Sequence, residues 1–322
     1  MHMWPPYAQP AWHAAMGPAL MGPVRRIHRL SQHLVAPAHV STPDRVAATA
    51  FASQPLSPVL SDSQIVGEFA KQGFVVVPSF FSESQLQEIE EVLADFMAGD
   101  MLVDPGPWEG HCYSLEEEGD LSTVWRIGLN AERTPYWKTL GEGRLSRLFE
   151  LCIGTPAAKD FGLQYFDKTP GGQSRPTPPH QDGGYSNPDV IKQCDEEANC
   201  VIVLDDMNST NGCLRYVPGS HLEGLREHGV GVVSFSQAIP ALSDDDLRRE
   251  VPLVAKRGDV IAHHCLAIHR ADENRSADRH RRTIGYSYAS TNIEAITSGE
   301  RNKKQLGVVE NGKLMHPGES AR

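Results

Sequence analysis

The chain has 322 residues, of which 40% are hydrophobic and 22% are charged, and its formal net charge is −11 at pH 7. These fractions are ordinary for a globular protein with a sizeable core. The negative charge argues against a nucleic-acid partner, because little basic surface is available to neutralise phosphates. No apolar run approaches the roughly 20 residues that a membrane-spanning helix needs. We therefore expect a protein that binds neither nucleic acid nor membrane.

Six cysteines are scattered at positions 112, 152, 194, 200, 213 and 265. None of them forms a C-x-x-C pair, so the pattern fits neither a zinc ribbon nor a disulfide framework. Unpaired thiols are typical of a reducing compartment, and this predicts a cytoplasmic location.

The N-terminal region differs in composition from the rest. Residues 1–43 contain no Asp or Glu, and Pro and Ala are abundant over residues 1–60. This composition predicts a disordered extension over 1–60, followed by a folded domain over 61–295 and a C-terminal tail over 296–322. The arginine-rich stretch at 25–30 is also typical of organelle transit peptides, so a targeting segment is an alternative. A misplaced start codon is another.

Helical patterns come first along the folded part. Residues 62–72 have helical spacing of apolar side chains, and 73–78 read as a buried strand. Ser82, with Gln85 three residues later, forms a capping box for a second helix that ends near Gly99.

An acidic, loop-like stretch covers residues 101–121. A third helix is predicted from 134 to 153, and Gly141 and Gly143 are positions where it would break.

From residue 160 the pattern changes to short runs of branched and aromatic residues, bounded by Gly, Pro, Asn or Asp. The predicted strands are 161–166, 200–204, 213–217, 251–254, 259–263 and 283–289. Many short strands with turns between them are typical of a sandwich or barrel. We expect a mainly β protein in which the N-terminal helices buttress one face of the β core.

The triplet His180-Gln181-Asp182 and the distant His269 carry the most specific chemical signal. A His-x-Asp pair can direct both side chains at one metal, and a second histidine completes a three-ligand face. Two imidazoles and one carboxylate on one face of an octahedral ion leave three positions open. That arrangement is diagnostic of non-haem Fe(II) sites that activate O₂.

Other histidines are alternatives to His269. His263 and His264 follow a predicted turn within a strand, which favours a core or ligand-supporting role over ligation. His280 reads as an exposed residue at a strand end, and His221 as a side chain that hydrogen-bonds a turn.

Three passages combine these residues in a characteristic order. They are 164–171 with 178–185, then 211–221, and finally 257–261 followed by His269, Asn274 and 281–284. In this order they resemble the phytanoyl-CoA dioxygenase family of Fe(II)/2-oxoglutarate-dependent oxygenases. The resemblance covers about residues 62–290. It implies a double-stranded β-helix, or jelly-roll, core, which agrees with the strand pattern.

The resemblance also implies roles for particular residues. His180, Asp182 and His269 would bind iron, and Arg281 would pair with the far carboxylate of 2-oxoglutarate, the cosubstrate. Further cosubstrate contacts are implied for Gln164, Lys168 and Thr169. A buried carboxylate favours a planar, permanently charged partner, and arginine meets that need better than lysine.

Two departures from the family pattern concern the cosubstrate. Ala271 stands where the family often has a small hydroxyl residue, and the interval from His269 to Arg281 is one residue longer than in the enzyme that names the family. Asp182, by contrast, is retained. Related halogenases have a small residue at this position so that chloride can bind iron, and the aspartate therefore indicates hydroxylation.

These observations predict an enzyme that uses Fe(II), 2-oxoglutarate and O₂ to hydroxylate an unactivated C–H bond of a small-molecule metabolite, releasing succinate and CO₂. Tyr185, Trp125 and Arg126 are candidate substrate contacts at the pocket mouth. The same site could instead catalyse desaturation, ring formation or oxidative bond cleavage. A non-catalytic metal-binding jelly roll that senses a ligand is a further alternative.

Overall fold

The computed structural model describes residues 56–99, 113–115, 124–129, 135–158, 162–172, 174–185, 196–230, 237–292, 308–310 and 313–315. The α-helices in this part are α1 (Asp62–Gln72), α2 (Glu83–Gly99), α3 (Pro135–Leu140), α4 (Ser146–Ile153) and α5 (Asp244–Arg249). A π-helical turn at Gly141–Leu145 joins α3 to α4, and short 3₁₀ helices lie at Asp182–Tyr185 and Ser220–Glu223. None of the helices in these ranges is both long and apolar enough to cross a membrane.

The strands are short and pair in antiparallel fashion. They are β1 (Phe74–Val77), β2 (Tyr113–Leu115), β3 (Val124–Gly128), β4 (Gly162–Lys168), β5 (Thr177–His180), β6 (Glu197–Val203), β7 (Leu214–Tyr216), β8 (Gly229–Val230), β9 (Gln237–Ala238), β10 (Val251–Pro252), β11 (Val260–His264), β12 (His269–Ala271), β13 (Arg281–Ala289), β14 (Val308–Glu310) and β15 (Lys313–Met315).

Two sheets form the β core. The larger has seven strands in the order β1-β11-β6-β13-β4-β3-β2, and the smaller has four in the order β10-β7-β12-β5. The remaining strands form two separate pairs, β8 with β9 and β14 with β15, the latter within the predicted C-terminal tail. The non-sequential strand order is that of a jelly roll, in which long connections cross between two facing sheets.

The helices cover one face of the larger sheet. Alternate residues of β4 and β13, such as Tyr165 and Ile284, point into an apolar cluster shared with Trp137 of α3. Tyr286 adds a directional contact, because its hydroxyl donates to the Trp137 carbonyl oxygen at 3.1 Å. Tyr288 does the same to the carbonyl oxygen of Gly141, at 2.7 Å. The opposite face of this sheet is thereby left to face the smaller sheet.

Most of the predicted elements are confirmed. Helix α1 has the predicted bounds, and Ser61 caps it through its hydroxyl. The backbone N–H of Ser82 donates to Gln85 Oε1 at 2.8 Å, as the predicted capping box requires. The predicted break at Gly141 and Gly143 is the π-helical turn, within which Gly143 has non-helical dihedral angles.

Eight of the fifteen described strands are absent from the sequence-based prediction, namely β2, β3, β5, β8, β9, β12, β14 and β15, and three of these show why. β2 lies within the stretch predicted as an acidic loop, so that prediction is wrong for Tyr113–Leu115. β5 contains Pro178 and Pro179, which have no backbone N–H to donate to a neighbouring strand. The two prolines are tolerated because β5 is an edge strand. β12 has only three residues and little apolar character. The predicted extension lies outside the described residues, except for 56–60.

The prediction that His221 hydrogen-bonds a turn agrees with the structure. Gly73 ends α1 with φ of 82°, and a Cβ atom there would lie 2.5 Å from Nδ1 of His221. The His221 ring also hydrogen-bonds, through Nε2, to the carbonyl oxygen of Ala70 at 3.2 Å. His221 therefore closes the last turn of α1 and is not part of the cluster of candidate metal ligands.

Asn274 joins the strand ends that carry the candidate site. It is fully buried, and its Nδ2 donates to the carbonyl oxygens of Lys168 (2.7 Å) and Arg279 (2.6 Å). Its Oδ1 accepts from the backbone N–H and the hydroxyl of Ser276, at 2.9 and 2.6 Å. Its backbone N–H donates to the hydroxyl of Ser174 at 2.7 Å. One side chain thus ties the end of β4 to the approach to β13.

We expect Asn274→Ala to lower the free energy of unfolding by about 2–4 kcal/mol, because it leaves several buried polar groups without partners. Urea unfolding followed by circular dichroism measures the loss. Asn292→Ala is the matched control, since the Asn292 amide bonds an exposed Glu196 carboxylate and should change stability little. Equal effects of the two substitutions would contradict the role assigned to Asn274.

Candidate metal centre

Two paired strands bring the candidate histidines together. His180 ends β5 and His269 begins β12, and the two residues lie directly opposite each other in the antiparallel register. Asp182 follows at the start of the 3₁₀ helix. The ligand atoms of these three residues all lie within 4.8 Å of one another. The structure therefore gathers the predicted triad at one point between the sheets.

Backbone carbonyls orient both imidazoles. Nδ1 of His180 donates to the carbonyl oxygen of Pro178 at 2.8 Å, and Nδ1 of His269 donates to that of Ala267 at 3.0 Å. With Nδ1 protonated, the lone pair of each neutral ring lies on Nε2. The Nε2 atoms face Asp182, at 3.5 Å from its Oδ1 for His180 and 3.8 Å from its Oδ2 for His269. This is the arrangement of imidazoles prepared to bind a metal.

The protonation states also suit a metal. Burial, and next the charge of His180, lower the pKa of His269 to about 3, so its ring is neutral at pH 7. Burial opposes ionisation of Asp182, but the imidazoles of His269, His180 and His263 outweigh it and hold the pKa of the carboxyl well below its ordinary value. Neutral imidazole and ionised carboxylate are the forms that coordinate a metal ion.

The middle residue of the triplet anchors the segment. Gln181 is fully buried, and its Nε2 donates to the carbonyl oxygens of Leu266 (2.7 Å) and Gly224 (2.9 Å). Its Oε1 accepts from the backbone N–H of Arg226 at 2.8 Å, and its own N–H donates to His228 Nε2 at 3.0 Å. These bonds fix the backbone from which His180 and Asp182 project.

The two alternative histidines have different environments. His263 Nε2 lies 3.0 Å from Asp182 Oδ2, so this ring contacts a ligand without joining the cluster of three. Nδ1 of His264 accepts from the N–H of Leu266 at 3.0 Å and supports a turn. His269, rather than His263 or His264, is thus the histidine that clusters with His180 and Asp182, and its role as a metal ligand stays a prediction.

Two partners of the centre were not predicted from the sequence. Asn199 of β6 donates from Nδ2 to Asp182 Oδ2 at 2.5 Å. The hydroxyl of Tyr216, on β7, lies 2.9 Å from Nδ1 of His263. No spacing rule connects these positions to the triplet. The one available signal was that Asn199 is a polar residue within an apolar strand.

Arg281 is a buried cation that forms no ion pair with any described residue. It begins β13, directly opposite Lys168 of β4, and its Nη1 donates to the Thr283 hydroxyl at 3.0 Å. Its Nε is buried and has no hydrogen-bond partner. Burial lowers the pKa of Arg281 to about 10, which leaves it protonated at pH 7. A buried charge of this kind calls for an anionic ligand.

The neighbouring arginine is already paired. Arg282 Nη2 lies 2.7 Å from Asp205 Oδ1 and 2.8 Å from Glu90 Oε1. Of the two adjacent arginines, only Arg281 is therefore available for a bound anion. Nearby, His280 is exposed and its Nδ1 lies 3.0 Å from both carboxylate oxygens of Asp167, as expected for a residue at a strand end.

The other predicted cosubstrate contacts lie along β4. Lys168 is buried, and its Nζ donates to the carbonyl oxygen of Arg175 at 2.5 Å. Gln164 is half-buried and lies opposite Gly285, two register positions along the strand from the Thr283 pair. Thr169 is half-buried and follows the end of β4. Their contact with a cosubstrate stays a prediction.

The predicted substrate contacts are placed only by their backbone. Trp125 and Arg126 lie in β3, which pairs with β4, and Tyr185 ends the 3₁₀ helix. Their side chains are outside the described part of the chain. Ala271 is buried in β12 and offers no hydroxyl, whereas Thr283 supplies one beside Arg281.

Comparison with known proteins identifies the family. The family model described as phytanoyl-CoA dioxygenase (PhyH) matches residues 69–283. The chain belongs to the phytanoyl-CoA dioxygenase family. A phytanoyl-CoA dioxygenase of Arabidopsis thaliana is 34% identical over 240 residues, covering 65% of this chain and 82% of that protein. Phytanoyl-CoA dioxygenase 1 of Oryza sativa is 27% identical over 249 residues, covering 67% and 85%.

Solved structures confirm the jelly-roll core. EctD from S. alaskensis superimposes with a TM-score of 0.57 and 17% identity, covering 80% of this chain and 83% of that chain. The carbocyclase SnoK superimposes with a TM-score of 0.55 and 21% identity, covering 74% of this chain and 87% of that chain. EvdO2 from Micromonospora carbonacea, complexed with 2-oxoglutarate, superimposes with a TM-score of 0.55 and 17% identity, covering 74% of this chain and 94% of that chain. At these identities the likeness is one of fold.

Membership of the phytanoyl-CoA dioxygenase family confirms the resemblance seen in the sequence. With the His180, Asp182 and His269 cluster, it also confirms the general expectation of an Fe(II)/2-oxoglutarate-dependent oxygenase. The donor set fits the metal, because two neutral imidazoles and one carboxylate are the ligands that such iron sites use.

We expect Co(II), a stand-in for Fe(II), to stabilise the protein against heat, because it binds the folded triad and not the unfolded chain. At 100 times its Kd the gain is about 2.7 kcal/mol, and His269→Ala should abolish it. Thermal unfolding with and without metal provides the measurement. His264→Gln is the control, since it keeps an acceptor for Leu266 and leaves the triad intact. Undiminished stabilisation of His269→Ala would exclude His269 as a ligand.

Proposed function

We propose that this protein is an Fe(II)- and 2-oxoglutarate-dependent dioxygenase that hydroxylates an unactivated C–H bond of a small-molecule metabolite and releases succinate and CO₂. The observation that carries the proposal is Arg281, a buried cation with no ion-pair partner among the described residues, in the same jelly roll as a His-Asp-His cluster. A group of three possible metal ligands alone would fit many proteins. Such a group together with a buried arginine that has no carboxylate partner among the described residues fits a chelating, dianionic cosubstrate.

The roles of the residues follow from their chemistry. His180, Asp182 and His269 would hold iron on one face and leave three of six positions open. 2-Oxoglutarate needs two of these positions, for its keto oxygen and C1 carboxylate, and O₂ needs one. When bound, iron and cosubstrate supply the oxidising chemistry, and the protein orients the reactants and excludes water.

Arg281 would hold the far carboxylate of 2-oxoglutarate. A guanidinium can donate two parallel hydrogen bonds to a carboxylate, and burial strengthens both. The Thr283 hydroxyl bonded to Nη1 restricts the rotation of the arginine head group and can donate a bond to the same anion. We assign Lys168, Gln164 and Thr169 to the wall of this pocket, where the lysine charge would add to the favourable potential.

We further propose that Tyr185, Trp125 and Arg126 contact the substrate. Tyr185 lies three residues after Asp182, and the other two lie in the strand next to β4. Support for a small molecule comes from similar structures, since SnoN was solved with Fe³⁺, 2-oxoglutarate (alpha ketoglutarate) and nogalamycin RO.

A second outcome at the same site also has support. Among proteins of this fold, SnoK is named a carbocyclase and SnoN an epimerase. Desaturation, ring formation and oxidative cleavage are therefore the alternatives to hydroxylation, and the placement of the substrate decides among them. Asp182 argues against halogenation, because a carboxylate ligand leaves no vacancy for chloride. Arg281 argues against a simple metal-binding sensor, which needs no buried anion site.

Arg281→Lys should raise the KM for 2-oxoglutarate about 30- to 300-fold, because the substitution loses one of two parallel charge-assisted hydrogen bonds. Arg282→Lys is the matched control, since its partners Asp205 and Glu90 can pair with either cation. Succinate release at varied 2-oxoglutarate concentration measures both variants. A larger effect at Arg282 than at Arg281 would contradict the proposed cosubstrate site.

An aerobic screen of small metabolites should identify compounds that increase succinate release in the presence of Fe(II) and 2-oxoglutarate. For hydroxylation, mass spectrometry should find product heavier than substrate by one oxygen atom, and Asp182→Ala should produce none. A product lighter by two hydrogens would instead indicate desaturation or ring closure. Full turnover by Asp182→Ala would refute the proposed metal site.

A further inference from the structure

Two side chains from the larger sheet lie within hydrogen-bonding distance of one oxygen of the Asp182 carboxylate. Asn199 of β6 and His263 of β11 lie directly opposite each other in the register. Asn199 Nδ2 lies 2.5 Å, and His263 Nε2 3.0 Å, from Asp182 Oδ2. The two nitrogens are 3.2 Å apart, as expected for neighbours that point at one oxygen.

The proton positions in this group follow from the acceptor. An ionised carboxylate can only accept hydrogen bonds, so both Asn199 and His263 must donate to Oδ2. A neutral His263 that donates from Nε2 has its lone pair on Nδ1. That lone pair accepts from the hydroxyl of Tyr216, 2.9 Å away. The chain of donors therefore runs from Tyr216 to His263 to Asp182.

Packing holds the first member of the chain in place. The ring of Tyr216 is fully buried and stacks on Phe74, with centroids 4.5 Å apart and planes at 26°. It also stacks on the ring of the proposed ligand His269, with centroids 5.5 Å apart and planes at 22°. The hydroxyl therefore cannot move without disturbing an imidazole of the triad. His263 is buried as well, with 3% of its surface exposed.

We propose that Asn199, His263 and Tyr216 form a carboxylate clamp that makes Asp182 a ligand through one oxygen. With Oδ2 held by two donors, Oδ1 is the oxygen left for the metal. Binding through both oxygens would occupy four of six positions together with the histidines. Only two would then remain, one fewer than 2-oxoglutarate and O₂ need together. The clamp thus preserves the third open position.

The inference rests on the proposed function only in taking His180, Asp182 and His269 as metal ligands. It assigns positioning roles, because Asn199 and His263 act through Asp182 and Tyr216 acts through His263. Hydrogen-bond partners of a ligand typically change metal affinity 10- to 100-fold when they are removed. A purely structural network would change stability but not the coordination of the metal.

The test is a titration of the full chain with Co(II) alone, without 2-oxoglutarate, read by visible absorption. The position and intensity of the Co(II) band depend on the ligand set, which changes when a second carboxylate oxygen replaces a water molecule. In His263→Phe, which removes the donor but keeps a ring, we expect about 10- to 100-fold weaker binding and a band of altered position and intensity. Tyr216→Phe should change the Co(II) affinity and the visible band in the same direction as His263→Phe, but by a smaller amount. His263→Gln, which restores an N–H donor, should recover most of the wild-type spectrum.

His264→Gln is the matched control, since this neighbouring residue contacts no ligand and should leave the spectrum unchanged. If His263→Phe does not fold, Asn199→Ser and Tyr216→Phe carry the test. If the folded variants give the wild-type Co(II) spectrum, the clamp is overturned, even if the Kd for Co(II) changes. Asn199, His263 and Tyr216 would then have a structural role alone.

A second measurement separates the clamp from the proposed function. Anaerobic addition of 2-oxoglutarate to the Fe(II) protein should give a visible charge-transfer band in the wild type. Absence of that band together with an altered Co(II) spectrum in His263→Phe would reject the proposed function and support the clamp. A normal band in wild type together with unaltered Co(II) spectra in the variants would reject the clamp alone.

Discussion

The pairing of β5 with β12 is the constraint on which the candidate centre depends. It sets His180 directly opposite His269, so two ligands distant in sequence meet through backbone hydrogen bonds. The carbonyl oxygens of Pro178 and Ala267, each two residues before its histidine, then turn both rings the same way. Because β5 is an edge strand with two prolines, its own pairing is weak. Gln181 compensates with four hydrogen bonds to the surrounding loops.

The two faces of the larger sheet have opposite requirements. One face is apolar and packs on the helices, which stabilises the fold. The other carries Lys168, Asn199, His263 and Arg281, all within a few strands of one another. Polar groups in such a position are costly unless they are paired. Each has a partner of matching charge or polarity, except that the Arg281 guanidinium has no carboxylate partner among the described residues and donates to the neutral Thr283 hydroxyl. The free-energy cost of burying a charge is therefore left uncompensated at Arg281, where an anion would bind.

The sequence predicted the fold where local pattern and final environment agree. Helix α1, the capping box of α2 and five strands of the larger sheet (β1, β4, β6, β11 and β13) follow from local residue patterns. β5 and β12 could not be predicted this way, because proline-rich and polar triplets become strands only through their neighbours. Their ligands were still predictable, since His-x-Asp has a chemical meaning without secondary structure. Asn199 and Tyr216 were not, because only the three-dimensional register brings them to Asp182 and His263.

Strand register also decides which arginine faces the pocket. Arg281 and Arg282 are adjacent, so the alternation of a strand sends them to opposite faces, and a slip by one residue would exchange them. Arg282 opposes such a slip, because its backbone N–H and its Nε both donate to Asp205 Oδ2 at 2.8 Å. Asn274 fixes the turn before the strand through the carbonyl oxygen of Arg279. The bonds of residue 282 to Asp205, which include one from its backbone N–H, thus help to hold the register that directs Arg281 toward the pocket.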